Sequence, residues 1–252
     1  MFHVQNKTVL ITGGSRGIGA ATAKIIVAAG GYAIIHYGSN EAAARKLAET
    51  LPSEQVHLCQ ADLLSPTETE RLWDEAESWR GRIDVLVNNA GVYEKNPLDL
   101  DVDKWLEGWD RSMQINLRSA AQLCRRAVHH FRKAGGGILI NVSSRAGHRG
   151  DSIDHLQYGA SKAGMLALNR SIARNGAKDN ILAYGIAPGF VLTDLVEEYV
   201  TEYGMEKLNA MYPTGRVATA EEVANVILFL ASGASPQTTG NTIDLCGAAD
   251  VR

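Results

Sequence analysis

The sequence predicts a single α/β domain, residues 1–252, in which a parallel sheet is covered by helices on both faces. Three observations predict it. Short apolar runs alternate with longer amphipathic stretches, the rhythm of repeated strand–helix units. Most of those runs are rich in Ile, Val and Leu throughout, as strands buried on both faces must be. The 252 residues, 45% hydrophobic and 21% charged, suffice for one large core, and no composition shift marks an internal boundary.

The first strand is expected over 8–12. It runs into Thr12-Gly13-Gly14-Ser15-Arg16-Gly17-Ile18-Gly19, which opens a helix over 17–29. The spacing Gly13-x-x-x-Gly17-x-Gly19 departs from the G-x-G-x-x-G fingerprint but shares its physics: glycines allow a tight turn and close backbone approach, and the helix amino terminus favours a pyrophosphate. Taken alone, the segment is equally a plain strand-to-helix connection. A second strand over 32–37 leads through His36-Tyr37-Gly38-Ser39-Asn40 into a helix over 41–50. A third, over 55–60, precedes Asp62, Leu63 and a helix over 66–79. The fourth, over 83–87, ends in Asn88-Asn89-Ala90-Gly91, a turn of small residues able to press against a bound dinucleotide.

One long helix is expected over 102–133. It contains Asn116, an ordinary residue there on its own, and ends near His129-His130, where imidazoles beside the last carbonyls are favourable. The fifth strand, over 137–142, ends at Ser143-Ser144. The next helix, over 157–177, carries Tyr158 and Lys162 four residues apart and therefore on one face. A strand over 181–186 ends at Pro188-Gly189. Residues 193–212 then break the rhythm with an amphipathic, tyrosine-bearing segment that reads as a lid, because loops at the carboxyl ends of parallel strands bind ligands in such sheets. Helical spacing puts Leu195, Tyr199 and Tyr203 on one face of it, facing either the substrate or the packing of an oligomer. A helix over 220–231 and a strand over 242–245 complete the chain.

Composition narrows the function. With 25 Lys and Arg against 28 Asp and Glu, the net charge of -3 gives no argument for nucleic acid or an anionic membrane as partner. No apolar stretch reaches membrane-spanning length, and residues 1–7 lack a secretory signal's basic start, so a cytoplasmic protein is expected. Cys59, Cys124 and Cys246 are odd in number and scattered, which suggests reduced thiols used in packing. The polar group His148, Arg149, Asp151, Asp154 and His155 matches no ligand spacing, so no metal is expected.

Thr12 to Gly19, Asp62, Asn88 to Gly91, Asn116, Ser144, Tyr158, Lys162, Pro188-Gly189 and Thr193 occur together in an order and spacing that resembles the short-chain dehydrogenase/reductase family over nearly the whole chain. The resemblance implies a Rossmann-type doubly wound sheet of seven parallel strands in the order 3-2-1-4-5-6-7, and a homo-dimer or homo-tetramer. It implies a catalytic set of Asn116, Ser144, Tyr158 and Lys162. Tyr158 would give a proton to the carbonyl oxygen of a small-molecule ketone and Lys162 would lower its pKa. Ser144 would donate a hydrogen bond to that oxygen, and Asn116 would anchor a water relaying protons. Ser144 lies fourteen residues before Tyr158, about one more than close relatives have, and Ser143 is the alternative hydroxyl. For the cofactor, NADP(H), the resemblance implies contacts from Gly13, Ser15, Arg16, Gly17, Ile18, Gly19, Ser39, Asn40, Asp62, Leu63, Asn88, Ala90, Gly91, Tyr158, Lys162, Pro188, Gly189, Val191 and Thr193.

Two details refine it. Enzymes selective for NAD place an acid at the end of the second strand. In this family it would align with Tyr37, and residues 36–40 hold no acid, while Arg16 stands where a 2′-phosphate is often met. An arginine merely pointing into solvent is the other reading. The segment Tyr212-Pro213-Thr214-Gly215-Arg216 resembles 3-oxoacyl-(acyl carrier protein) reductases, yet those carry arginines at the positions of Gly135 and Asp179, and Cys246-Gly247-Ala248 alters a usual Gly-Gly. A ketoreductase of hydrophobic or aromatic substrates is therefore expected ahead of a dedicated fatty-acid enzyme.

Overall fold

Thr8, Val9, Leu10 and Ile11 are buried at every position and form β1 (Thr8–Ile11). Their side chains alternate between two cores, Val9 and Ile11 into one and Leu10 into the other, as period-two geometry requires of a strand covered on both faces. The computed structural model describes residues 2–193, 196, 200–201 and 204–251. After β1 come α1 (Gly17–Ala28), β2 (Tyr32–Tyr37), α2 (Glu41–Ala48), β3 (Val56–Gln60), α3 (Pro66–Arg80) and β4 (Val85–Asn88). The second half holds α4 (Val102–Met113), α5 (Ser119–Ala134), β5 (Gly137–Val142), α6 (Ala146–Arg149), α7 (Leu156–Gly176), β6 (Ile181–Pro188), β7 (Val191–Leu192), α8 (Met205–Ala210), β8 (Ala218–Thr219), α9 (Ala220–Ser232) and β9 (Thr242–Leu245).

The sheet is parallel throughout, in the order β3-β2-β1-β4-β5-β6-β9, with β9 as its seventh strand. This is the Rossmann-type arrangement that the sequence predicts. One core lies under α1 and α9, the other under α3 and α5. Local chemistry fixes the helix ends. Asn40 caps α2 by accepting from the Ala43 N–H at 3.0 Å, Ser65 caps α3 ahead of Pro66, and Thr219 with Glu222 forms a capping box on α9.

One expectation is corrected and two details are added. The long helix expected over 102–133 runs from Val102 to Ala134, with a π-helical turn, Gln114–Arg118, between α4 and α5. Such a turn widens the backbone spiral and is a device of functional sites. Here it holds Asn116 fully buried against the turn after β4. His130 does not meet the last carbonyls of α5, because its imidazole bridges neighbours instead. Its Nε2 accepts from the Ile83 N–H at 3.2 Å, which leaves Nδ1 to donate to Glu77 at 2.9 Å. Beyond β6, the two-residue strands β7 and β8 pair as a small second sheet. Cys59, Cys124 and Cys246 are buried thiols without disulfide partners.

His36, at the end of β2, ties three strands together. Its Nδ1 accepts from the Gly13 N–H at 3.0 Å, so its Nε2 donates to the Ala61 carbonyl at 3.0 Å. Burial pushes the imidazole down to about 4, which keeps it neutral and the tautomer fixed. The unfolded chain binds a proton near pH 6.5 and the folded chain only near 4, so the contribution of His36 is complete above 6.5 and is lost as pH falls through 4. The shift corresponds to roughly 3 kcal/mol. We expect His36→Gln to be less stable than the parent at pH 7 and the gap to close towards pH 4, read as urea midpoints. A gap independent of pH rejects this role.

Candidate active site

The glycine turn after β1 and the turn after β4 are built as one unit. The Thr12 hydroxyl accepts the N–H groups of Asn89 and Ala90, each at 3.0 Å, and the Asn89 amide donates to the carbonyls of Thr12 and Gly13 at 2.9 and 3.0 Å. Gly13 sits at φ 61° with Ala90 so close that a Cβ would lie 3.0 Å from its Cα. Glycine is required there on both counts. Gly19 packs against the Gly13 carbonyl, leaving no room for a Cβ. Helix α1 has no acidic residue in its first turn and no side-chain cap, so its leading N–H groups face outward for an anion.

These turns border a cleft of about 820 Å³ along the carboxyl ends of the strands. Gly13, Ser15, Arg16, Gly17 and Ile18 line one side of it, with Ser39, Asn40, Asp62 and Leu63 beyond. Ala90 and Gly91 form its floor, and Pro188, Gly189, Val191 and Thr193 face them. Ser144, Tyr158 and Lys162 line the same cleft. Three of the expected contact residues do not line it. Gly19 is consumed by helix packing. Asn88 is buried, with its amide donating to Asn141 at 2.9 Å and in contact with Cys124. Asn116 lies behind the wall, where its oxygen accepts from the Val92 N–H at 2.8 Å and its amide donates to the Val92 carbonyl and to Ser161.

The structure separates the two serines. Ser143 donates to the Lys162 carbonyl at 2.7 Å, whereas Ser144 accepts from the Ala146 N–H at 3.1 Å and its hydroxyl meets the Tyr158 phenol. The additional length between Ser144 and Tyr158 is taken up by α6 and a short 3-10 turn, Ile153–His155. The Lys162 ammonium donates to the Val142 carbonyl at 3.0 Å and lies 5.7 Å from the centre of the Tyr158 ring.

Electrostatics corrects one expectation. The resemblance implies a phenol whose pKa is lowered by Lys162, but burial dominates and pushes Tyr158 up to about 12, with the Ser144 hydrogen bond working against it. Burial also pushes Lys162 down to about 8. The phenol therefore holds its proton at neutral pH.

Residues 13–247 match the family model described as enoyl-(acyl carrier protein) reductase. The chain is 32% identical to the 3-oxoacyl-[acyl-carrier-protein] reductase FabG of Aquifex aeolicus, over 97% of each chain. It is 33% identical to nodulation protein G of a Rhizobium species, over 98% of each, and 31% identical to FabG of Escherichia coli, over 97% of this chain and 98% of that one. The chain belongs to the short-chain dehydrogenase/reductase family.

Family membership makes it an oxidoreductase that works with a nicotinamide cofactor. Several cleft residues were not singled out as site residues from the sequence. Tyr93 stacks on His155 at 4.0 Å between ring centres and meets Tyr158 edge-on at 4.7 Å, while its hydroxyl donates to Asp151 at 3.4 Å. Its place two residues after Gly91 was the available signal. Arg145 and Phe190 line the same end of the cleft. Members of the polar loop group disperse, His148 to Asp244 at 3.4 Å and His155 to Ser152 at 2.8 Å. Away from the cleft, His57, Cys59 and Glu75 come within 4.8 Å of one another, with Glu75 held by Arg71 at 2.9 Å. Among the described residues no helix is long and apolar enough to cross a membrane.

The Thr12 staple is open to test. Thr12→Val keeps the shape but strands two buried N–H donors, which costs about 1–3 kcal/mol. We expect a lower urea midpoint with Thr12→Val and recovery with Thr12→Ser. An unchanged midpoint means that other acceptors hold the two turns.

Proposed function

We propose that this short-chain dehydrogenase/reductase reduces a ketone to a secondary alcohol with NADPH, and catalyses the reverse, with Tyr158 as the proton donor. The observation that carries this reading is the convergence of Ser144, Tyr158 and a buried Lys162 on one cleft. Bound in the cleft, the nicotinamide supplies the hydride. A neutral phenol is the acid that reduction needs, and its proton goes to the oxygen as negative charge develops there. Ser144 donates a hydrogen bond to the same oxygen. Lys162, fixed by the Val142 carbonyl, holds the nicotinamide ribose and favours the phenolate once the proton has left. Asn116 braces the turn that carries Gly91 and, from the π-helical turn, anchors the water that returns protons to Lys162.

The open N–H groups of α1, with Gly13, Ser15, Gly17 and Ile18, fit a pyrophosphate, Gly19 packing beneath the turn, while Asp62 and Leu63 would border the adenine. Asn88, through its buried bonds, positions Ala90 and Gly91 beneath the nicotinamide end, against Pro188, Gly189, Val191 and Thr193. Arg16, Ser39 and Asn40 meet the 2′-phosphate. The absence of an acid over residues 36–40 supports NADPH over NADH. Residues 193–212 form the lid. Val196, Leu208, Tyr212 and Val217 give this region its own small core, and Leu195, Tyr199 and Tyr203 lie outside the described residues. Exposed Leu98, Leu100, Val102 and Leu106 support a homo-dimer or homo-tetramer, and the balanced surface supports a cytoplasmic protein.

A second reading, a 3-oxoacyl-(acyl carrier protein) reductase, is favoured by the names of the relatives. Against it, Gly135 is uncharged, and Asp179 is an acid, although Arg132 offsets it at 2.8 Å. Comparing free ketones with carrier-bound 3-oxoacyl groups decides between them.

Two outcomes test the main reading. Tyr158→Phe keeps the ring and removes the proton, so kcat is expected to fall by roughly 10²–10⁴ while NADPH affinity changes little. Ketone reduction is expected to hold steady below about pH 8 and to decline above it as Lys162 deprotonates. Near-normal turnover by Tyr158→Phe removes Tyr158 from its role. For the cofactor, NADPH is expected to exceed NADH at least about tenfold in kcat/KM, or roughly 1.4 kcal/mol. Arg16→Ala is expected to weaken NADPH selectively and Tyr37→Asp to favour NADH. Equal efficiency with both cofactors in the parent rejects the assignment.

A further inference from the structure

Arg145 is 7% exposed, an unusual place for a guanidinium, and it lines the cleft immediately after Ser144. Its backbone is fixed, because its N–H donates to the Pro188 carbonyl at 2.9 Å and α6 begins at the next residue. The guanidinium carbon lies 5.4 Å from the centre of the Phe190 ring and 5.3 Å from that of Tyr212. Those two residues are themselves locked together, since the Phe190 N–H donates to the Tyr212 hydroxyl at 2.6 Å.

The aromatic faces offset part of the cost of burying this cation but accept none of its five N–H groups in a conventional hydrogen bond. Among the described residues no carboxylate pairs with it, whereas the other cleft arginine with a described partner, Arg111, is held by Glu94 at 3.1 Å. Asp151, the acid on this side of the cleft, receives the Tyr93 hydroxyl instead. A planar fork of donors, held rigidly and open towards the reacting end of a cleft, matches a carboxylate in two-point contact.

Resting on the carbonyl-reductase reading above, we propose that Arg145 is a substrate-specificity residue that binds a carboxylate, so that the preferred ketones are oxo acids carrying the carboxylate close to the reacting carbonyl. Phe190 and Tyr212 set the guanidinium plane, and Phe190 adds apolar surface for the remainder of the substrate.

The test compares benzoylformate with its methyl ester, which removes the charge at the recognised group and adds one methyl. In the parent, kcat/KM is expected to favour the acid at least about tenfold, and Arg145→Met is expected to erase that preference mainly through KM, with Arg145→Lys intermediate. Benzoate is expected to inhibit the parent competitively against the ketone and to lose at least about tenfold in affinity in Arg145→Met. Reduction of the ester with no preference for the acid overturns the proposal and leaves the reductase reading standing. An equal loss on both substrates in Arg145→Met also overturns it and marks a clamp for Phe190 and Tyr212. No reduction of any carbonyl compound overturns the reading beneath it. Should Arg145→Met not fold, the acid-to-ester ratio of the parent and of Arg145→Lys decides the matter, equal ratios counting against it.

Discussion

Strand order reverses at β1. The chain steps outward through β2 and β3, then returns to lay β4 on the other side, so the turns after β1 and β4 leave the sheet in opposite directions and open a crevice between them. Everything functional depends on holding that crevice in one shape. Two hydroxyl-borne hydrogen bonds from Thr12 and two from the Asn89 amide do so on one side, and His36 does so on the other by accepting from Gly13 and donating to the Ala61 carbonyl. Each partner is neutral, and Thr12 and His36 are buried. The arrangement is therefore insensitive to salt and, above the range where His36 titrates, to pH.

The same burial that fixes the turns sets the chemistry at the other end. Tyr158 and Lys162 share one helix face, yet desolvation acts on each more strongly than they act on one another: the phenol is driven to its neutral form, and the ammonium loses part of its hold on its proton. A phenol that keeps its proton is an acid in waiting. It becomes a competent base only when charge arrives in front of it, which couples proton transfer to occupancy of the cleft. Tyr93, edge-on to Tyr158 and stacked on His155, limits the ring's freedom, so reactivity is controlled by placement as much as by pKa.

What the sequence made legible follows from short-range rules. Apolar runs such as Val9 to Ile11 and Val85 to Val87 announced strands buried on both faces, and Gly13, Gly17 and Gly19 announced a turn that only glycine permits. The Tyr158 and Lys162 pair was readable because four residues on a helix define a face without any knowledge of the fold. Features set by distant partners were hidden. The π-helical turn exists because Asn116 must reach Val92, 24 residues away, and nothing near Asn116 signals that demand. His130 looked like a helix cap for the same reason, since Glu77 and Ile83 are remote in sequence. The direction of the Tyr158 shift was hidden because the balance between the Lys162 charge and desolvation depends on how deeply the fold buries the ring.

Charge, too, is distributed in a way that composition conceals. The chain as a whole is at -3, but among the described residues lining the cleft are Arg16, Arg111, Arg145, Arg149 and Lys162 against only Asp62 and Asp151. A concave surface with low-dielectric walls concentrates the field of such a set and draws anions in. Arg111 is held by Glu94 and Lys162 by the Val142 carbonyl, while cations stand at two ends of the cleft, Arg16 beside the glycine turn and Arg145 beside Ser144. A nicotinamide dinucleotide brings its phosphates to the first end. On the proposed reading the second end faces the reacting carbonyl, and the binding energy of a substrate anion at Arg145 would orient that carbonyl under Tyr158 and Ser144.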